Sequence, residues 1–154
     1  MKATLDIRNF TRSNPAPGIP FAKIAASALP GWEISLVFAG ERRAQSLNIA
    51  LRKKDYIPNV LSYETTSSAE RNAQRSGEII ICPAVAKRQA SSYDMSYRQF
   101  MAYLFIHGLL HLKGHPHGAT MERYERAMMS RFGLHASSSL TSSHSNGTTH
   151  RNRH

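Results

Sequence analysis

A single α+β domain, with a small mixed sheet of about four strands covered by helices, is the fold class this sequence predicts. Three observations predict it. Strand-like and helix-like periodicities alternate as far as Cys82, and only helical ones follow Pro83. The run Phe100 to Leu112 is apolar nearly all round, which marks a central, buried helix. Segment 136–154 is rich in Ser, Thr, Asn and His and holds one large apolar residue, Leu140. Burial of so little apolar area cannot offset the entropy of ordering a chain, so a disordered tail is expected there and the folded domain at 1–135.

Taken in order, Thr4 to Phe10 carries Leu5 and Ile7 on one side and charges on the other, a short strand. Asn14 to Pro20, with three prolines and a glycine, is a loop. Phe21, Ile24, Ala25, Ala28 and Leu29 recur at helical spacing until Pro30-Gly31 ends the helix. Ile34, Leu36 and Phe38 alternate in a second strand, Glu33 to Phe38. Ala44, Leu47 and Leu51 mark a helix from Glu41 to Lys53. Asn59 to Tyr63 and Glu78 to Cys82 complete the strands, and the polar stretch Thr65 to Gly77 between them reads as a mobile loop able to lie over a site. A short helix runs to about Ala90, and the long apolar one from about Ser96 to Lys113. An amphipathic helix from about Thr120 to Phe132 turns Met121, Tyr124, Met128 and Phe132 inward.

The formal net charge is +10, and the tail adds only Arg151 and Arg153, so the domain itself carries +8. Its cations come in groups: Arg42-Arg43, Arg52-Lys53-Lys54, Arg71 with Arg75, and Lys87-Arg88. A basic surface favours polyanions such as RNA or DNA, although a merely solubilising surface has the same composition. Cys82 is the only cysteine, which excludes an internal disulfide and a paired-cysteine metal knuckle. Within Ile79-Ile80-Ile81-Cys82 it reads as a small buried hydrophobe. The N-terminus lacks the apolar core of a signal peptide, and Phe100 to Leu112 is too short to span a bilayer. A soluble, cytoplasmic protein without a membrane partner is expected.

Chemistry concentrates in His107-Gly-Leu-Leu-His111-Leu-Lys-Gly114-His115-Pro116-His117. On a helix His107 and His111 share one face. Gly114 is suited to end that helix in a left-handed turn, after which the chain can carry a third histidine back. A lone buried histidine is usually a core residue bonded to a backbone carbonyl. Two at this spacing, a glycine stop and a third at the return distance point instead to three imidazoles on one metal ion, with a fourth position open. His117, in the extended turn after Pro116, is preferred over His115, which follows Gly114 too closely for the reversal. His135 and the tail histidines His144, His150 and His154 have nothing to order them. An all-imidazole set suits zinc first, then nickel or copper.

Gly108 discriminates between reactions. A zinc peptidase of the H-E-x-x-H type needs a glutamate general base at that position. A tri-histidine metal without it can still lower the pKa of bound water toward ~7 and make hydroxide available for attack on phosphorus. Such attack needs the phosphoryl charge neutralised, which the bidentate fork of an arginine does well. Arg52, Arg88 and Arg98 are all eligible on the residues alone.

The segment 107–117 resembles the H-G-x-L-H-L-x-G-Y-D-H signature of the YbeY family, metal-dependent single-strand endoribonucleases and rRNA maturation factors of bacteria and organelles. Leu47-Asn48 through Arg52 to Val60-Leu61-Ser62-Tyr63 resembles the family's L-N-x-x-[FY]-R segment leading into T-D-V-L-S-F. Gly77 to Cys82 resembles its G-D-I strand, and Met121 to Glu125 the M-x-x-x-E of its last helix. The likeness spans about residues 33 to 133. It implies that His107, His111 and His117 bind the metal, that Arg52 is the catalytic arginine, and that Ser62 and Asn48 support the site. The chain departs from the pattern at Pro58-Asn59, in place of Thr-Asp, and at His115-Pro116, in place of Tyr-Asp. The strand acid is kept in kind as Glu78.

The leading expectation is therefore a metal-dependent endoribonuclease, with metal-bound water attacking the phosphodiester assisted by Arg52. Its partners would be single-stranded RNA, above all ribosomal RNA precursors, and ribosomal proteins. The alternative is a non-catalytic ribosome-assembly module with a structural metal, for which a fourth protein ligand would be expected. A zinc metalloprotease comes last.

Overall fold

The computed structural model describes residues 3–15, 18–66 and 74–134. Segment 136–154, the expected tail, lies outside them, as do His135 and residues 67–73 of the polar loop. The elements run β1 (Thr4–Asn9), α1 (Phe21–Ala28), β2 (Glu33–Phe38), α2 (Glu41–Arg52), β3 (Val60–Glu64), β4 (Ser76–Ile81), α3 (Pro83–Gln89), a 3-10 turn (Ala90–Tyr93), α4 (Tyr97–Lys113) and α5 (Ala119–Arg131). Among the described residues no helix is long and apolar enough to cross a membrane.

Four strands form one mixed sheet in the order β1-β2-β4-β3. β1, β2 and β4 are parallel, and β3 closes one edge antiparallel to β4, with Val60 opposite Ile81 and Glu64 opposite Gly77. The fold is the α+β domain expected. β4 starts two residues before the expected Glu78, because Ser76 and Gly77 pair with Glu33 and Ile34 of β2. Ladder hydrogen bonds use backbone groups and are indifferent to the polarity that made this stretch read as loop.

Side chains alternate across the sheet and split the core in two. Ile34, Leu36 and Phe38 of β2 and Ile79 and Ile81 of β4 pack with α1, α4 and α5 in the main core. Val37, Leu61 and Ile80 point the other way, toward Leu47 of α2. α4 is the centre of the main core: Phe100, Phe105, Ile106 and Leu109 are fully buried. Its start is set by a capping box, in which Ser96 Oγ accepts from the Gln99 N–H and the Gln99 side chain accepts from the Ser96 N–H.

α5 differs from expectation in one respect. Met121 is buried and Met128 and Phe132 pack against the core as anticipated, but Tyr124 is 48% exposed. The inward stripe runs instead through Met121, Glu125 and Met129, four residues apart. An acid occupies the place an apolar pattern would deny it, because α4 offers it a partner.

Candidate metal centre

The local sequence explains how three histidines meet. His107 and His111 stand one turn apart near the end of α4, with ring centroids 4.6 Å apart. Gly114 takes a left-handed conformation (φ 105°) as the helix cap, its N–H bonding back to the Leu110 and His111 carbonyls. The reversal is secured by the His115 N–H on the Leu110 carbonyl and by the His115 carbonyl, which accepts from His111 Nδ1 at 3.1 Å. Pro116 then leads to His117, whose ring lies 4.3 Å from that of His111 and 5.2 Å from that of His107. One ligand nitrogen from each of the three lies within 4.8 Å of the other two. The His115 ring turns away and packs on Tyr124 at 4.8 Å.

The donor set fits a cation. A backbone carbonyl only accepts, so His111 Nδ1 carries the proton and Nε2 presents its lone pair. His107 Nδ1 faces the Glu125 carboxylate at 2.5 Å, which leaves Nε2 of that ring to face the same point. The two Nε2 atoms are 3.1 Å apart. In a tetrahedral zinc site with Zn–N of about 2.0–2.1 Å, two ligand nitrogens stand about 3.3 Å apart. Burial, then the neighbouring His107 and His117, push the His111 pKa down, which favours the neutral ring that a metal needs. His107 and His111 are half-buried, and His117 is exposed.

Arg52 joins this cluster from the other side of a cleft of about 440 Å³, lined also by Tyr56, Asn59, Val60, Ser62, Gly108 and the three histidines. It is the last residue of α2, which Lys53 terminates in the left-handed region (φ 59°), its N–H bonding to the Asn48 and Ile49 carbonyls. Asn48 is fully buried one turn earlier, and its amide donates to the Tyr56 carbonyl at 3.0 Å. That bond ties the connection 53–59 back to the helix at the cleft edge. Arg88 pairs with Glu41 at 3.0 Å, and Arg98 donates to the Gly18 carbonyl, so neither lines the cleft. Among the described residues no carboxylate pairs with Arg52, Lys53 or Lys54, and none lines the cleft. Asn59, one of the departures from the family pattern, donates to Gln89 Oε1 at 2.8 Å.

Two residues have roles that the sequence reading did not assign. Gly108 lies where α4 crosses β4: a Cβ there would stand 3.1 Å from Ile79 Cγ2 and 3.3 Å from its Cδ1. The position of the missing peptidase base is thus also a tight packing contact, since a Cβ enters it only if the Ile79 side chain gives by a few tenths of an ångström. Glu125, 5% exposed, ends the Met121 to Glu125 segment that resembles the family's last-helix motif, and that resemblance is the one signal that singles it out in the sequence. Glu78, kept in kind from the family strand, faces the opposite side of the sheet, against Ser35 and Tyr63.

A family model described as Endoribonuclease YbeY matches residues 19–133. The Endoribonuclease YbeY of Bdellovibrio bacteriovorus is 34% identical over 102 residues, 66% of this chain and 62% of that protein. That of Thiobacillus denitrificans is 35% identical over 114 residues, 71% of this chain and 76% of its own length. That of Neisseria meningitidis serogroup B is 37% identical over 121 residues, 71% and 72% of the two chains. In fold, the chain is similar to the solution structure of TM1509 from Thermotoga maritima, with a TM-score of 0.56 at 16% identity, covering 97% of this chain and all of that one. With a family model covering most of the chain and relatives above 30% identity, the chain belongs to the YbeY endoribonuclease family.

Proposed function

We propose that this protein is a metal-dependent endoribonuclease that cleaves single-stranded RNA, acting on ribosomal RNA precursors in the cytoplasm with ribosomal proteins as partners. The observation that carries the reading is one cleft that holds both Arg52 and the three-histidine cluster. His107, His111 and His117 would hold a single ion, zinc by the chemistry of an all-imidazole set, with nickel or copper as substitutes. Bound there, zinc supplies Lewis acidity and lowers the pKa of a coordinated water toward ~7.

The chain's own residues supply the rest. Arg52, exposed and without an acidic partner among the described residues, is available to grip a phosphodiester through its planar fork and to neutralise charge developing on the phosphoryl oxygens. Lys53 and Lys54 follow Arg52 in the chain and are exposed, and no carboxylate among the described residues lines the cleft to repel a phosphate. Ser62 presents a hydroxyl on the cleft wall, and the buried Asn48 holds the Arg52 connection in place.

Metal-free protein reloaded with zinc should cleave an unstructured RNA, and His107→Ala and Arg52→Ala should each abolish cleavage while leaving the fold intact. Cleavage by His107→Ala at the wild-type rate would overturn the reading. The absence of carboxylates among the described residues that line the cleft favours one second reading, a non-catalytic RNA-binding module for ribosome assembly with a structural metal. RNA binding and a metal-dependent melting temperature without turnover would decide for it.

A further inference from the structure

We propose that Glu125 is a positioning residue for the metal: by accepting the Nδ1 proton of His107, it aims the Nε2 lone pair of that ring at the point shared with His111 and His117. The inference rests on the reading of these three histidines as ligands.

Glu125 is the only buried acid among the described residues, and α5 has ample outward positions for glutamate. Burying a carboxylate between Met121 and Met129 is costly unless it is bonded. Its bond is to His107 Nδ1 at 2.5 Å, across a helix–helix interface. The carboxylate can only accept when ionised, so the proton of a neutral His107 ring sits on Nδ1. The two α4 ligands are therefore oriented by acceptors of different kinds, His111 by the neutral His115 carbonyl and His107 by a carboxylate. A charged acceptor raises the basicity of the ligand ring beyond what a carbonyl does, and loss of such partners typically costs about 10–100-fold in metal affinity. Tyr103 packs beside His107, with ring centroids 5.8 Å apart, and confines the ring from the flank.

The same contact docks α5 on α4, so a purely structural role must be separated from positioning. Glu125→Gln keeps the shape and removes the charge, Glu125→Ala removes the acceptor, and Glu125→Asp restores a carboxylate. Met129→Ala weakens the same helix contact without touching His107. Zinc dissociation constants, measured at fixed neutral pH by competition with a chromophoric chelator, should rise about 10–100-fold in the Gln and Ala variants and recover in part in Asp. Met129→Ala should lower the melting temperature without that rise. In metal-free protein, nitrogen NMR of the imidazoles should show His107 as the Nδ1–H tautomer in wild type and a loss of that preference in Glu125→Ala. Wild-type zinc affinity in Glu125→Ala, or an equal loss in Met129→Ala, overturns this inference and leaves the ligand reading standing. A wild-type protein that binds no zinc overturns both.

Discussion

Gly108 is the residue where sequence logic and packing meet. Its place beside His107 argued against peptidase chemistry, because a glutamate base is missing. The contact with Ile79 adds a physical reason, since α4 crosses β4 closely enough that a Cβ would press on the Ile79 side chain. Gly108→Ala gains about 1 kcal/mol in helix propensity but overpacks the crossing by about 1–3 kcal/mol. A net destabilisation of up to about 2 kcal/mol is expected, visible as an earlier midpoint in urea unfolding. A variant as stable as wild type would show that the crossing relaxes freely. At this scale the histidines were legible, because i, i+4 spacing and a glycine stop are local signals. Glu125 was not, because a polar residue in an amphipathic pattern reads as outward until its partner on another helix is known.

Elements were legible to within a residue or two wherever apolar periodicity was strong, as in β2 and α4. Their arrangement was not. That β3 closes the sheet antiparallel beyond β4, while β1 lies at the far edge, depends on long-range pairing that no local window contains. The order matters for the site: it brings the β3 end of the α2–β3 connection under α4, so Arg52 and the histidines share a cleft although more than fifty positions separate them. That connection hangs on Asn48, whose amide nitrogen bonds the Tyr56 carbonyl while its carbonyl oxygen is buried without a partner among the described residues. Asn48→Ala should cost about 1–3 kcal/mol of stability. It should also depress RNA cleavage at temperatures where the variant is fully folded, because the connection that forms the cleft edge beside Arg52 loses its tether. Full activity under those conditions would mean that the connection holds its place unaided.

Over the whole molecule, the charge excess is unevenly spent. Arg75 pairs with Glu64 and lies over Trp32, Arg88 pairs with Glu41, and Arg43 lies over Phe10, while Arg52 at the cleft and Lys53-Lys54 after it have no acidic partner among the described residues. Stability against alkali is set elsewhere, by phenols on both sides of the sheet. Burial, then the hydrogen bond and charge of Glu78, push the Tyr63 pKa up to about 12. Burial, then the charge of Glu125, push Tyr103 up to about 12 as well. Both shifts favour the protonated phenol in the folded state, so the stability linked to them is fully present below the ordinary tyrosine value of about 10 and is lost as pH rises through about 12. Burial pushes the Tyr97 phenol up too, so tyrosinate absorbance should show three of the six tyrosines titrating late, with the unfolding midpoint falling across the same interval. Tyr63→Phe should be less stable than wild type near neutrality, since Glu78 loses its phenol donor, yet lose less on going to high pH, since no tyrosinate then forms beside that carboxylate. Parallel curves for wild type and Tyr63→Phe would show that this phenol ionises without cost to the fold.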